Sequence, residues 1–318
     1  MIEFLRKNAL PLAVMAGLGA AVCVPHIGML LKARNLIIIL TVLVFFFQGL
    51  GFDTTGTGTR TGWLSISIIG LVTSQLFAPL LGWIIVHLLG WQGDRAVGFL
   101  IICCMAPTLV SGTVIAMSAG GNRSVSLFLT ITLNIVAIVL IPLNLRWTLG
   151  SAVTMHEWFL LKQLAATVLL PGIAGQLVRR MVPRSAGFSA LIHYIPILCL
   201  GLAVFVSTAS QVDHLHQTGV MEIASLILPA LFVHYLLFAC AWYGGRSVGL
   251  PYPVRTAISF VSSQKTLPVA IIVWQQMFAD IYTAAVIPPI IFHLGQIYGD
   301  SLLARWIEKK RPPGSIIP

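Results

Sequence analysis

The chain has 318 residues, 58% of them hydrophobic and 9% charged, with a mean hydropathy of +0.95. Soluble domains carry about 25% charged residues, so a single water-soluble core could not hide this much apolar surface. The net charge of +10 would suggest nucleic acid in a soluble protein, but no basic stripe with interleaved aromatics forms a footprint for it, and no nucleic-acid partner is expected. The runs 61–93, 96–122, 124–145, 185–212 and 223–245 contain no Asp, Glu, Lys or Arg. Each exceeds the roughly 20 residues that cross a bilayer, so the expectation is an all-α polytopic membrane protein whose first partner is lipid.

Ten hydrophobic segments follow one another. The first, 8–31, comes after Arg6 and Lys7. It reads as a retained membrane helix rather than a cleaved leader, since Ala20-Ala21-Val22-Cys23 lacks the small residue that precedes a lipidated cysteine. The second spans 35–52, and the third, 62–90, carries Gln75 and Pro79. The fourth, 96–119, is interrupted by Pro107 and Ser111-Gly112-Thr113. The fifth is 124–149, the sixth 156–179 with Pro171-Gly172, the seventh 187–209 and the eighth 219–245 with His234. The ninth, 253–278, contains the polar block Ser262-Ser263-Gln264-Lys265-Thr266 and then Pro268; the tenth, 281–306, carries His293. Residues 311–318 lack apolar periodicity and are expected to be disordered. The five cysteines lie in apolar stretches without a CxxC pattern, so they read as small buried hydrophobes.

The two interruptions fall in the fourth segment of residues 1–150 and the fourth segment of residues 156–310. In hydrocarbon every backbone polar group must be satisfied, so such breaks persist only against protein or a water-filled cavity. Corresponding broken segments in two halves point to the binding site of a secondary transporter. Five spans per half give the halves opposite topology, a 5+5 inverted repeat. Thirteen basic residues fall on the side of the N-terminus and five on the other, with Lys265 inside the membrane. The positive-inside rule then places both termini in the cytoplasm of an inner or plasma membrane protein.

All nine acidic residues read as lying at loops or segment ends, which makes Lys265 the one charge expected near the bilayer centre. Thr108, Ser111, Gly112 and Thr266 share the two breaks with it. Half-helix N-termini carry partial positive charge, so together with the ammonium they suggest a site for a small organic anion. His234 and His293 are read as hydrogen-bonded helix residues rather than proton relays. Ser262 to Lys265 also matches S-x-x-K, the pattern of a Ser/Lys hydrolase, but the companion motifs are missing and no enzymatic activity is expected. Walker, GxGxxG and HExxH patterns are absent, so no nucleotide or zinc cofactor is implied.

The run Met105-Ala106-Pro107-Thr108-Leu109-Val110-Ser111-Gly112-Thr113 with Ala119-Gly120-Gly121-Asn122, and Val254-Arg255-Thr256 leading to Ser262-Ser263-Gln264-Lys265-Thr266-Leu267, resemble the two broken helices of the bile acid:sodium symporter family. The Ser-Gln-Lys variant points to the branch of that family containing sodium/bile acid cotransporter 7 and its bacterial relatives. The resemblance implies a core of segments 62–149 and 219–306 that moves against a panel of 8–52 and 156–209, with the broken helices crossing in the core. It implies Na⁺ sites as well. One would use Thr113, Ser126 and Thr130; the other would use Gln75, Val261, Ser263 and Gln264. Phe260 stands where the family has a shared glutamate, and Lys265 replaces the Asn-like position after the glutamine. The site would then be two charges more positive than the family's and poorer at holding Na⁺. A tethered ammonium at Lys265 is expected to stand in for a sodium ion, with coupling to H⁺ or none. The alternative implied by the branch is a non-transporting regulator of calcium or ion homeostasis.

Overall fold

The structure, a computed structural model, describes residues 9–33, 35–51, 62–108, 111–150, 157–179, 181, 186–209, 212 and 220–310. The expected tail and several basic residues of the charge count, among them Arg6, Lys7, Arg60 and Arg184, lie outside them. Among the described residues the chain is helical and has no strand. Among the described residues six helices are long and apolar enough to cross a membrane, or seven if one bent pair is a single span.

Helices α1 (Ala9–Cys23) and α2 (Pro25–Ala33) divide the first expected segment, bent by 104° at Val24. Pro25 has no N–H to continue the ladder and pushes the residue before it out of the helical region, so one apolar run becomes two helices. Next come α3 (Leu36–Gly51) and α4 (Trp63–Leu88), which widens into a π-turn over Val72–Phe77. The fourth segment forms α5 (Gly93–Cys104) and α6 (Ser111–Ser118), two pieces too short to pass as spans separately. Asn122 caps α7 (Arg123–Leu149) by accepting from Val125 N at 3.0 Å, while its own N–H donates to Pro253 O at 2.8 Å.

The remaining helices are α8 (Glu157–Arg179), α9 (Ala186–Ala209), α10 (Val220–Ser247), α11 (Tyr252–Ser263), α12 (Leu267–Met277) and α13 (Ile287–Lys309). The last begins six residues later than the apolar run suggests, because residues 278–286 are turns. The Asp94 carboxylate accepts from Ala284 N there at 2.8 Å, and Pro288-Pro289 open the helix where missing N–H groups cost nothing.

One packed group joins α9 to α1, α2 and α3, and α3 to α8; another joins α10 to α11 and α13, α11 to α6 and α7, and α4 to α5. Helix α12 touches α3, α8 and α9 on one hand and α5 and α13 on the other. Its residues Leu267–Trp274 are buried on every side, consistent with a helix apolar all round. Where α3 meets α8 the backbones touch: a Cβ at Gly175 would overlap the Phe46 carbonyl, and one at Gly49 the Gly172 carbonyl. Small residues let membrane helices approach this closely. Gly175→Ala is therefore expected to destabilise by about 1–3 kcal/mol, as overpacking does, read as a lowered thermal midpoint in nanodiscs.

Candidate functional site

Helix α5 stops at Cys104 because Met105 turns to extended backbone (φ −72°, ψ 158°), and α11 stops at Ser263 because Gln264 does the same (φ −72°, ψ 151°). The two extended stretches meet. Thr266 N donates to Ala106 O at 2.9 Å, and the Gln264 side-chain Oε1 accepts from Thr108 Oγ1 at 2.5 Å and Ser111 Oγ at 3.0 Å. Thr108 Oγ1 in turn accepts from Gly112 N at 3.0 Å and so satisfies an amide of the first turn of α6. A Cβ on Gly112 would lie 3.2 Å from Gln264 Oε1, so glycine lets the amide come this close.

Lys265 is fully buried, and its ammonium donates to Ser74 O at 2.5 Å, Met105 O at 3.0 Å and Ser74 Oγ at 3.3 Å. The Ser74 oxygen is available for a local reason. In the π-turn the Ala78 N–H bonds Thr73 O, and the position that would serve Ser74 next is Pro79, which has no N–H. The same proline deprives Gln75, whose carbonyl accepts instead from Asn144 Nδ2 at 2.7 Å. Gln75 Nε2 reaches Met105 O at 3.3 Å, leaving its Oε1 buried without a partner. The backbone of Lys265 is closed by Gln296, which accepts from its N–H at 2.8 Å and donates to its carbonyl at 2.7 Å.

The expectation that no acid lies inside a span is overturned by Asp300. It sits in α13, fully buried, with Gln264 Nε2 donating to one carboxylate oxygen at 2.7 Å and His234 Nε2 at 2.7 Å from the other. His234 Nδ1 lies 3.2 Å from Ser263 O, at the end of α11. The comparison drawn from Phe260 and Lys265 is thus incomplete, since α13 brings a carboxyl group to the second break. Phe260 itself is buried against Phe238 at 4.9 Å between ring centroids. A spacing signal was present: His293, Gln296 and Asp300 recur at i, i+3 and i+7, which puts three polar groups on one helical face.

Gln75, Thr108, Ser111, Gly112, Ser263, Gln264, Lys265 and Thr266 thus share one network. The others sit apart from it. Thr113 and Thr130 pair at 3.4 Å between hydroxyls, Ser126 Oγ donates to Asn122 O at 3.0 Å, and the Val261 side chain packs in an apolar cluster with Val125 and Leu129. Of the oxygens expected to hold sodium at the second set, Gln264 Oε1 accepts from two hydroxyls and Ser263 O lies 3.2 Å from His234 Nδ1, while Gln75 Oε1 has no partner. Ser262 and Lys265 of the S-x-x-K pattern do not pair, because the lysine bonds Ser74 and Met105 while Ser262 Oγ is buried without a partner.

Beside the crossing, α3, α7 and α8 enclose a cavity of about 340 Å³ whose lining includes Phe45, Gln48, Asn134, Ile138, Val168 and Gln176. A narrower recess lined by Ala106, Asn134 and Val269 continues it toward the breaks. None of the five residues expected to bind substrate lines this cavity.

Apolar helices with two interruptions meeting around a buried ammonium and a buried carboxylate define an integral membrane transporter. The chain belongs to the SBF-like CPA transporter family, whose model matches residues 8–309. It is 28% identical to "Probable sodium/metabolite cotransporter BASS4, chloroplastic" of Oryza sativa subsp. indica, over 98% of this chain and 78% of that protein. The relative of the same name from Arabidopsis thaliana is 28% identical, over 97% and 74%. The chain is 24% identical to "Sodium/bile acid cotransporter 7" of Rattus norvegicus, over 97% and 94%. These relatives are cotransporters, and the protein is a transporter, not an enzyme.

Proposed function

We propose that the protein is a secondary carrier working by alternating access, in which the Lys265 ammonium takes the place of a coupling sodium ion. The observation that carries this reading is the oxygen cage of Ser74 O, Ser74 Oγ and Met105 O around Nζ, with the unpartnered Gln75 Oε1 nearby on α4. Two carbonyls and a hydroxyl are the ligands a monovalent hard cation takes. In this reading the chain has ten spans in two inverted halves, 1–150 and 156–310, with both termini cytoplasmic. Segments 62–149 and 219–306 rock as a core against a panel of 8–52 and 156–209, a division supported by the two groups of packed helices. An organic anion is the substrate expected from Lys265, whose ammonium is bonded in this arrangement to three protein oxygens.

The test is a thermal-unfolding titration of the protein in nanodiscs with NaCl against choline chloride at matched ionic strength. The wild type is expected to show no sodium-specific shift. A saturable rise with sodium alone would mean that an ion binds beside the lysine, and the reading would fall.

A further inference from the structure

We infer that Lys32 on α2 is a latch between the two groups of packed helices. Its ammonium, laid on the indole of Trp274 in α12, holds shut the end of the crevice that lies away from the cavity. This rests on the carrier reading and names the residue that sets which end of the carrier is open.

The first observation is that this contact joins the two groups. The chain bends by 104° before Pro25, and α2 is then seated on α9, where a Cβ at Gly28 would overlap the Ala209 side chain. Lys32, in the last turn of α2, therefore moves with α9. Its Nζ lies 5.1 Å from the centroid of the Trp274 ring, a cation–π distance. The indole is anchored on the other side. Trp274 is fully buried and its Nε1 donates to Tyr282 O at 2.8 Å. The turn that carries Tyr282 is pinned to α5, where Asp94 accepts from Ala284 N at 2.8 Å. The Asp280 carboxylate of the same turn is near enough to attract the ammonium.

The second observation is where the crevice is open. Gln48 and Gln176 line the cavity from the last turns of α3 and α8, whereas Lys32 sits just before Leu36, where α3 begins. The cavity and the lysine thus lie toward opposite ends of the molecule. The recess that continues the cavity reaches Leu164 on α8 and Val269 on α12. One helical turn further toward Lys32, Leu160 is 1% exposed and Val273 fully buried. The crevice closes there, beneath Trp274.

The third is the chemistry of the closure. Helix α12 meets α3, α8 and α9 through an apolar surface. Apolar burial is non-directional, so such a seal lets helices shift against one another. An ammonium over an indole is directional and is lost once the two groups part. A lysine at the end of an apolar helix ordinarily sends its head to water; Lys32 is partly buried with its head on the ring instead. The contact exists only while this end is closed, so it biases the equilibrium toward the state that opens at the cavity.

The test is the rate at which Val273→Cys reacts with a charged methanethiosulfonate in nanodiscs, read by peptide mapping at that position so that the native cysteines stay in place. Lys32→Met, which keeps the stem and loses the charge, is expected to raise the rate about fivefold, the worth of one such contact. Lys32→Arg, which keeps a cation over the ring, is expected to leave it within about twofold of the parent. Adding Lys32→Met to Trp274→Leu is expected to change nothing further. In a parallel Gln48→Cys chain Lys32→Met is expected to slow labelling, because a carrier that opens at one end closes at the other. An unchanged rate at position 273 in Lys32→Met, or an equal rise in Lys32→Arg, overturns the latch and leaves the carrier reading standing. A rise at position 273 with no fall at position 48 supports the latch and overturns alternating access.

Discussion

Lys265→Ala is expected to turn a protein indifferent to sodium into one that sodium stabilises. The truncation empties a space bounded by Ser74 O, Ser74 Oγ and Met105 O, beside Gln75 Oε1, which already lacks a partner. It also removes the positive charge that shares the crossing with the buried carboxylate of Asp300. Without a cation the variant should lose about 3–5 kcal/mol, the cost of breaking a buried charge arrangement by deleting one member. With sodium at a hundred times its dissociation constant it should regain about 2.7 kcal/mol by mass action. The measurement is the thermal midpoint in NaCl, KCl and choline chloride. A folded Lys265→Ala protein whose midpoint is the same in all three salts would show that the ammonium is not a cation's substitute.

Asp300→Ala should be the other severe lesion. The carboxylate is the acceptor for Gln264 Nε2 and stands 2.7 Å from His234 Nε2, so its removal strands two buried polar groups. Hydrogen bonds to charged groups are worth about 1.5–3 kcal/mol each, so a loss of about 3–5 kcal/mol is expected. Asp300→Asn keeps the shape and an acceptor for Gln264 but not the charge, and should lose less. A thermal midpoint within a degree or two of wild type in Asp300→Ala would show that α13 does not anchor the second break. Phe260→Glu should not rescue either variant, because position 260 packs among Phe238, Ala116 and Ala304 rather than in the polar network.

Much of the site was legible in one dimension because membrane burial makes polar residues conspicuous. Pro107 and the Ser262–Thr266 block stood out against long uncharged runs, and the helices do stop there. Lys265 was conspicuous for the same reason. Its partners were not, since Ser74 O and Met105 O are backbone atoms with no letter of their own. Pro79 could have announced the freed Ser74 carbonyl, but only with knowledge that α4 widens to a π-turn just before it. Asp300 was misjudged because distance from the end of an apolar run measures depth only when the helix boundaries are right. Helix α13 begins at Ile287 and runs on to Lys309, which moves Asp300 toward its middle.

By itself the sequence determined the class of molecule, the places where its helices break and the identity of its most costly buried charge. All of these follow from composition and local backbone chemistry: apolar length, proline's missing N–H, the expense of an ammonium in hydrocarbon. The tertiary structure alone decided that the two breaks bond to each other and that Lys265 faces carbonyls rather than a ligand. It also decided that a carboxylate from a third helix completes the network, and that an uncharged cavity opens beside it. Those outcomes depend on which faces of distant helices meet, and long-range packing is specified by mutual fit among many side chains rather than by any segment's own pattern.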